Sequence, residues 1–216
     1  MAIAIGNKTA SNANPNGSTQ TLAHNMSVGA DGTLLVVITM ANTVDFSGAT
    51  YDGVAMTLVR NQNMGTLSQR QAMYILQAPS TGSNNIVVTF SGNQFNGTSI
   101  FACSFTGAGG VDVHAGTALI TSPNSVSATI AANSIIYATG VSDNAQSFGY
   151  DIGGSTRTNE FAHNSNKQVE GALSATGLLA GATNVTTKAD AGTITNSYVA
   201  ILEAVTIITR RRIIIC

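Results

Sequence analysis

Short runs of apolar or alternating residues, each cut by glycine, asparagine or proline, recur along almost all of this 216-residue chain. "TLLVVITMA" (33–41) is a compact apolar run rich in branched side chains, as a strand buried on both faces requires. "ATYDGVAMTLVR" (49–60) places Asp52-Gly53 between two alternating segments, the strongest short hairpin signal a sequence offers. On its second arm Val54, Met56 and Leu58 share a face. "QRQAMYILQ" (69–77), "IVVTF" (86–90) and "TSIFACSFTG" (98–107) continue the alternation, with "PSTGSNN" as a turn between the first two. "VDVHAG", "VSATIAA" and "SIIYATGVS" read as three more strands, and a last strand is expected over about 196–208. Two internal glycines argue against a stable helix in "GALSATGLLAGA" (171–182).

Many short strands with Gly and Asn turns, no βαβ alternation and no repeat of 20–50 residues predict an all-β fold. The expected architecture is a single β-sandwich, jelly-roll-like, over 20–208. Residues 1–19 are expected to form a loop or extended arm and 209–216 a C-terminal docking tail. Residues 141–170 are polar and read as a long surface excursion.

Composition narrows the function classes. Charged residues make up 9% of the chain and the net charge is −1, against an ordinary charged share of about 25%. Nucleic-acid binding needs a basic face, so no nucleic-acid partner is expected. Sparse charge is also unusual for a free monomer. A neutral surface of Asn, Ser, Thr and Gly loses little when a neighbour desolvates it. No run reaches the roughly 18 apolar residues of a membrane helix, and no membrane partner is expected. "MAIAIGNKTA" has neither a basic n-region nor a long enough apolar stretch for a secretory signal, so synthesis and retention in a cytosol are expected.

The succession "LLVVITM", "ATYDGVAMTLVR", "RQAMYILQAPSTGSNNIVVTFSG", "GTSIFACSFTGAGGVD", "SIIYATGVS" and "YVAILEAV" resembles a β-sandwich domain of tailed-phage virion proteins. Similar domains recur in large bacterial surface proteins. The likeness runs over roughly residues 20–207, and "TYDGVAMTLV" followed by the "YILQAPSTGSNNIVVTF" hairpin carries most of it. It implies a jelly-roll-like or Ig-like sandwich used for display, cementing or adhesion, and no enzymatic residues. The surface-protein relatives carry export signals and tandem copies, and neither is read in this chain. The "TRRRIIIC" ending lies outside the domain pattern. Both departures favour the phage branch, whose virion parts are made in the host cytoplasm.

Candidate chemistry is sparse. The histidines are His24, His114 and His163, and no G-x-S-x-G elbow occurs. Asp112 and His114 are two apart, so a strand turns them the same way. They read as a surface pair rather than a dyad. Glu160, Glu170 and Glu203 are the only glutamates, and Glu203 shares a strand side with Val199, Ile201 and Val205. It reads as a strand end meeting solvent or an ion pair, not as half of a glycosidase pair. Asp143, Asn144 and Asp151 are oxygen donors of the kind calcium uses, but their spacing fits no calcium loop. Cys103, flanked on its face by Phe101 and Phe105, reads as a small buried hydrophobe. No catalytic residue, cofactor or metal is expected.

The ending poses its own question, because three arginines, three isoleucines and a cysteine close the chain. Ile213, Ile214 and Ile215 suit addition of a strand to a neighbour's sheet edge. Arg210, Arg211 and Arg212 suit acidic groups or carbonyls on that neighbour. Cys216 would then sit at a subunit contact, where an inter-subunit disulfide forms outside a reducing cytosol. The expected function is a non-enzymatic virion structural protein (capsid decoration or cement, collar or tail) whose partners are copies of itself and other virion proteins. The alternative is a carbohydrate-binding or host-adhesion module meeting a host glycan. Its sugar platform would come from Tyr51, Tyr74, Tyr137, Tyr150 or Tyr198, since the chain has no Trp.

Overall fold

The computed structural model describes residues 3–13, 17–27, 31–41, 44–63, 69–94, 97–121, 124–142, 148–157, 159–165, 167–173, 181–189 and 193–203. Among them every regular element is a strand, as expected of an all-β chain. The first nine are β1 (Ala4–Ala13), β2 (Gly17–Met26), β3 (Gly32–Ala41), β4 (Phe46–Tyr51), β5 (Val54–Ala55), β6 (Thr57–Asn63), β7 (Gln69–Gln77), β8 (Gly82–Gln94) and β9 (Thr98–Thr106). The next nine are β10 (Ala108–Thr121), β11 (Asn124–Ile130), β12 (Ile135–Ser142), β13 (Phe148–Ile152), β14 (Ser155–Arg157), β15 (Asn159–Ser165), β16 (Lys167–Leu173), β17 (Gly181–Ala189) and β18 (Thr193–Glu203).

These strands build four antiparallel sheets, and their orders repeat. The first half holds β1-β9-β3-β7-β6 and β2-β8-β4-β5; the second holds β10-β18-β12-β16-β15 and β11-β17-β13-β14. Adding nine to each label of the first pair gives the second pair. The sandwich expected over 20–208 is therefore two nine-strand units in tandem. The repeat is about a hundred residues long, beyond the 20–50-residue period of the common repeat arrays. It also overturns the expectation of no tandem copies.

Burial explains the two kinds of strand in the sequence. Strand β2 alternates strictly, with Gln20, Leu22, His24 and Met26 turned inward and Thr19, Thr21, Ala23 and Asn25 outward. It belongs to an outer sheet with one wet face. Strand β3 is buried at every described position from Thr33 to Met40, and β9 is buried from Thr98 to Phe105. One face of their sheet packs on the outer sheet through Leu34, Val36, Ile38, Tyr51, Ile86, Val88 and Ile100. The other face packs on the second half through Leu35, Val37, Phe101, Cys103, Ile135 and Tyr137. In the second half Tyr150 Oη of one sheet accepts a buried hydrogen bond from Gly140 N of the other at 2.9 Å. The order of layers is outer, inner, inner, outer. Each fully buried Leu, Ile or Phe contributes roughly 1.5–3 kcal/mol, so the inner sheets carry most of the stability.

Two readings are corrected. The span 1–19, expected as a loop or arm, contains β1 and the start of β2. Strand β1 pairs with β9 from Ala4↔Thr106 to Ala13↔Thr98. Asn7 Nδ2 donates to Asn25 O at 2.7 Å, tying β1 to β2. Edge position lets both elements be built from Asn, Ser and Thr, so no apolar period marks them. The described part of 141–170 is likewise strand, β13 to β16. Strand β13 buries Tyr150 and Ile152, and backbone ladders join β13 to β14 and β15 to β16.

The junction between halves is short. Gly107 N donates to Asp31 O at 2.8 Å, and Thr33 Oγ1 donates to Ala108 O at 3.0 Å. Both bonds fasten the start of β10 to the first half.

Candidate functional site

The tail residues Arg210, Arg211, Arg212, Ile213, Ile214, Ile215 and Cys216 lie outside the described residues, as do Asp143 and Asn144. The side chains of Glu160, Glu170, Glu203 and His163 also lie outside them. His114 is exposed on β10, opposite Val199. Among the described residues no three His, Cys, Asp or Glu side chains converge as a metal site. Cys103 is a thiol, fully buried with Phe101 and Phe105, as its flanks suggested.

The tyrosines bear on the glycan reading. Tyr51, Tyr74, Tyr137 and Tyr150 are all buried. Tyr137 stacks on Phe101, with ring centroids 5.1 Å apart and planes inclined by 14°. Tyr51 Oη donates toward His24 O at 3.2 Å and Gly82 O at 3.0 Å, pinning β4 to β2 and β8. These four rings hold the interior and offer no platform to a sugar. The side chain of Tyr198 lies outside the described residues.

Three polar groupings stand out among the described residues. At the β4–β5 turn Ser80 Oγ donates to Asp52 Oδ2 at 2.7 Å, and Asn84 Nδ2 reaches Ser80 Oγ at 3.4 Å and Thr81 O at 3.3 Å. This network borders an open depression of about 350 Å³ lined by Thr50, Asp52, Ser83, Asn84, Asn85 and Val87. A single carboxylate among neutral amides and hydroxyls gives it hydrogen-bonding capacity but no proton-transfer pair. The turn itself is a repeated feature. Asp52 N donates to Asn85 O at 3.1 Å in the first half, and Gly153 N donates to Asn184 O at 2.9 Å in the second.

The second grouping is on the surface. Arg70 Nη1 lies 2.7 Å from Asp45 Oδ2, while Asn61 Nδ2 and Phe46 N donate to Asp45 Oδ1 at 3.2 and 3.0 Å. The Asn61 hydrogen bond, with the Phe46 amide and Arg70 behind it, holds the carboxyl below its ordinary range. Exposed charge pairs of this kind contribute little, and the cluster ties the β3–β4 connection to β6 and β7.

The third is buried. His24 is 1% exposed, its Nδ1 lies 3.0 Å from Thr9 Oγ1, and its Nε2 has no partner among the described residues. Burial lowers its pKa from the ordinary 6.5. A depressed histidine is neutral in the fold and binds protons more readily once unfolded. Stability is therefore full above about pH 6.5 and falls as the pH drops from there toward the folded value. Urea midpoints measured from pH 8 to pH 5 are expected to be flat, then to decline below about 6.5. His24→Gln is expected to flatten that decline; an unchanged slope in the variant would rule out His24 as its source.

No family model, no curated protein and no solved structure matches this chain.

Proposed function

We propose that this chain is a non-enzymatic structural protein of the phage-virion type, working through contacts with copies of itself and with other virion proteins. The observation that supports this reading best is the character of the two outer sheets. Thr19, Thr21, Ala23, Asn25, Ser125, Ser127, Thr129, Ala182 and Asn184 are exposed on them. These faces are pleated and sparsely charged, with Lys188 and Asp151 on the second among mostly short, neutral side chains. A neighbour covers such a face while desolvating little charge and with little side-chain entropy to lose. On this reading Arg210–Cys216 is the docking tail, and Cys216 is the residue that links subunits once they leave a reducing compartment.

Sedimentation velocity over a range of concentrations, with and without reductant, tests the reading. The intact chain is expected to form a discrete multimer. A chain ending at Arg210 is expected to lose at least tenfold in association constant, the effect of about 1.4 kcal/mol. A monomer at every concentration, unaffected by truncation, would overturn it.

The tandem of equivalent units favours a second reading, an adhesion module of the bacterial surface-protein branch, because tandem copies are a mark of that branch. Reproducible retention on one sugar in a glycan array, by a chain that stays monomeric, would select it. The burial of Tyr51, Tyr74, Tyr137 and Tyr150 weighs against it.

A further inference from the structure

The two inner sheets meet through equivalent faces. Thr39 pairs with Gln71 on β7 and with Ser99 on β9. In the second half Thr139 pairs with Gly171 on β16 and with Ser197 on β18. Thr139 stands one hundred residues beyond Thr39, and Gly171 one hundred beyond Gln71. The same step carries Leu35 to Ile135 and Val37 to Tyr137, and all four share the apolar cluster between the sheets. Like face on like face is the arrangement of an isologous contact between two copies of one subunit.

Within that contact one side chain breaks the likeness. Gln71 Nε2 lies 3.4 Å from Thr39 Oγ1 and 3.3 Å from Thr139 Oγ1. Gln71, Thr39 and Thr139 are all buried. One amide thus bridges two equivalent hydroxyls, one from each half. The position equivalent to Gln71 is Gly171, which brings no side chain.

We propose that the chain is a fused pair of one self-recognising nine-strand unit, and that the Gln71–Gly171 combination is the specificity pair that seats unlike halves together. Two first halves face to face would bring two glutamine side chains to the place that one now fills, and overpacking a filled core is destabilising. Two second halves would bring none, leaving a void and two hydroxyls without their shared donor. Only the unlike pair places one amide between two threonines. The partner this face fits is another unit of the same nine-strand topology, and within this chain that place is already taken.

A swap in the full-length chain tests this. Gln71→Gly is expected to lower the folding equilibrium constant roughly tenfold by removing the shared amide from between two buried hydroxyls. Gly171→Gln is expected to lower it by a similar factor through overpacking. The double variant Gln71→Gly/Gly171→Gln moves the amide to the other half, where it again lies between the same two threonines. It is expected to return to within about threefold of the parent, a coupling that independent sites do not show. If the two losses simply multiply in the double variant, the faces are not equivalent and the proposal fails. Should Gly171→Gln alone not fold, the swap still decides: a folded swap upholds the proposal and an unfolded one overturns it.

Discussion

Replacing Phe101 with alanine is expected to lower the unfolding free energy by about 3–5 kcal/mol, the usual cost of emptying a buried aromatic site. Phe101 is 1% exposed on β9, a strand covered on both sides. Its ring stacks on Tyr137 of the second half. The cavity would therefore open where the halves meet, with Leu35, Val37, Cys103 and Ile135 sharing its cluster. Neither half can close the gap alone, because each wall is a hydrogen-bonded sheet. Tyr137→Ala removes the same stacked contact, so the double variant should lose less than the two single losses added together. Urea denaturation followed by tyrosine fluorescence measures both. A loss below about 1 kcal/mol for Phe101→Ala would mean that the halves do not depend on this contact.

Gly110→Ala is expected to cost about 2–4 kcal/mol, for a different reason. Gly110 has φ +121°, a conformation that side chains with a Cβ rarely adopt. A Cβ there would also fall on the Gln77 amide nitrogen, which donates to Gly109 O at 2.7 Å. Alanine would thus strain the β10 bulge and displace a bond that fastens β10 to β7. Gly48→Ala serves as the contrast. Its added Cβ meets nothing within 4 Å and its φ is ordinary, so its thermal midpoint should barely move. Gln77→Ala in the Gly110→Ala background separates the two causes, since it relieves the clash and leaves the backbone strain. Equal thermal midpoints for Gly110→Ala and Gly48→Ala would show that the bulge carries no strain.

What the sequence made legible follows from how each strand is covered. The run 33–41 announced burial on both faces because both faces of β3 are apolar. Asp52-Gly53 announced a tight turn, and the chain turns there between β4 and β5. Val54, Met56 and Leu58 were placed on one face, yet only Met56 is buried, while Val54 and Leu58 are about half exposed. They sit on edge strands, where an inward direction does not bring cover. Strand β1 carries no apolar period because a backbone ladder to β9 holds a polar edge strand, and in β13 the alternation of Phe148, Tyr150 and Ile152 spans only five residues. The repeat escaped notice for a related reason. Thr39 and Thr139, Ala72 and Ala172, Gly82 and Gly181, and Asn85 and Asn184 are identical pairs, but they are scattered between substitutions such as Val37 to Tyr137 and Gln71 to Gly171. The function of Gln71 was illegible in one dimension, since its meaning comes from Thr139, 68 residues away.

The way the two halves meet also sets a limit on growth. In a solenoid each repeat offers its successor a fresh face unlike the one it uses itself, and the array has no natural length. Here the joining face is spent on its own counterpart. A third unit appended to this chain would find no vacancy on either inner sheet. The valence left for larger structures belongs to the outward-turned threonines, serines and asparagines and to the sheet margins. Lengthening such a chain by further duplication should therefore yield more pairs strung together, never a longer stack.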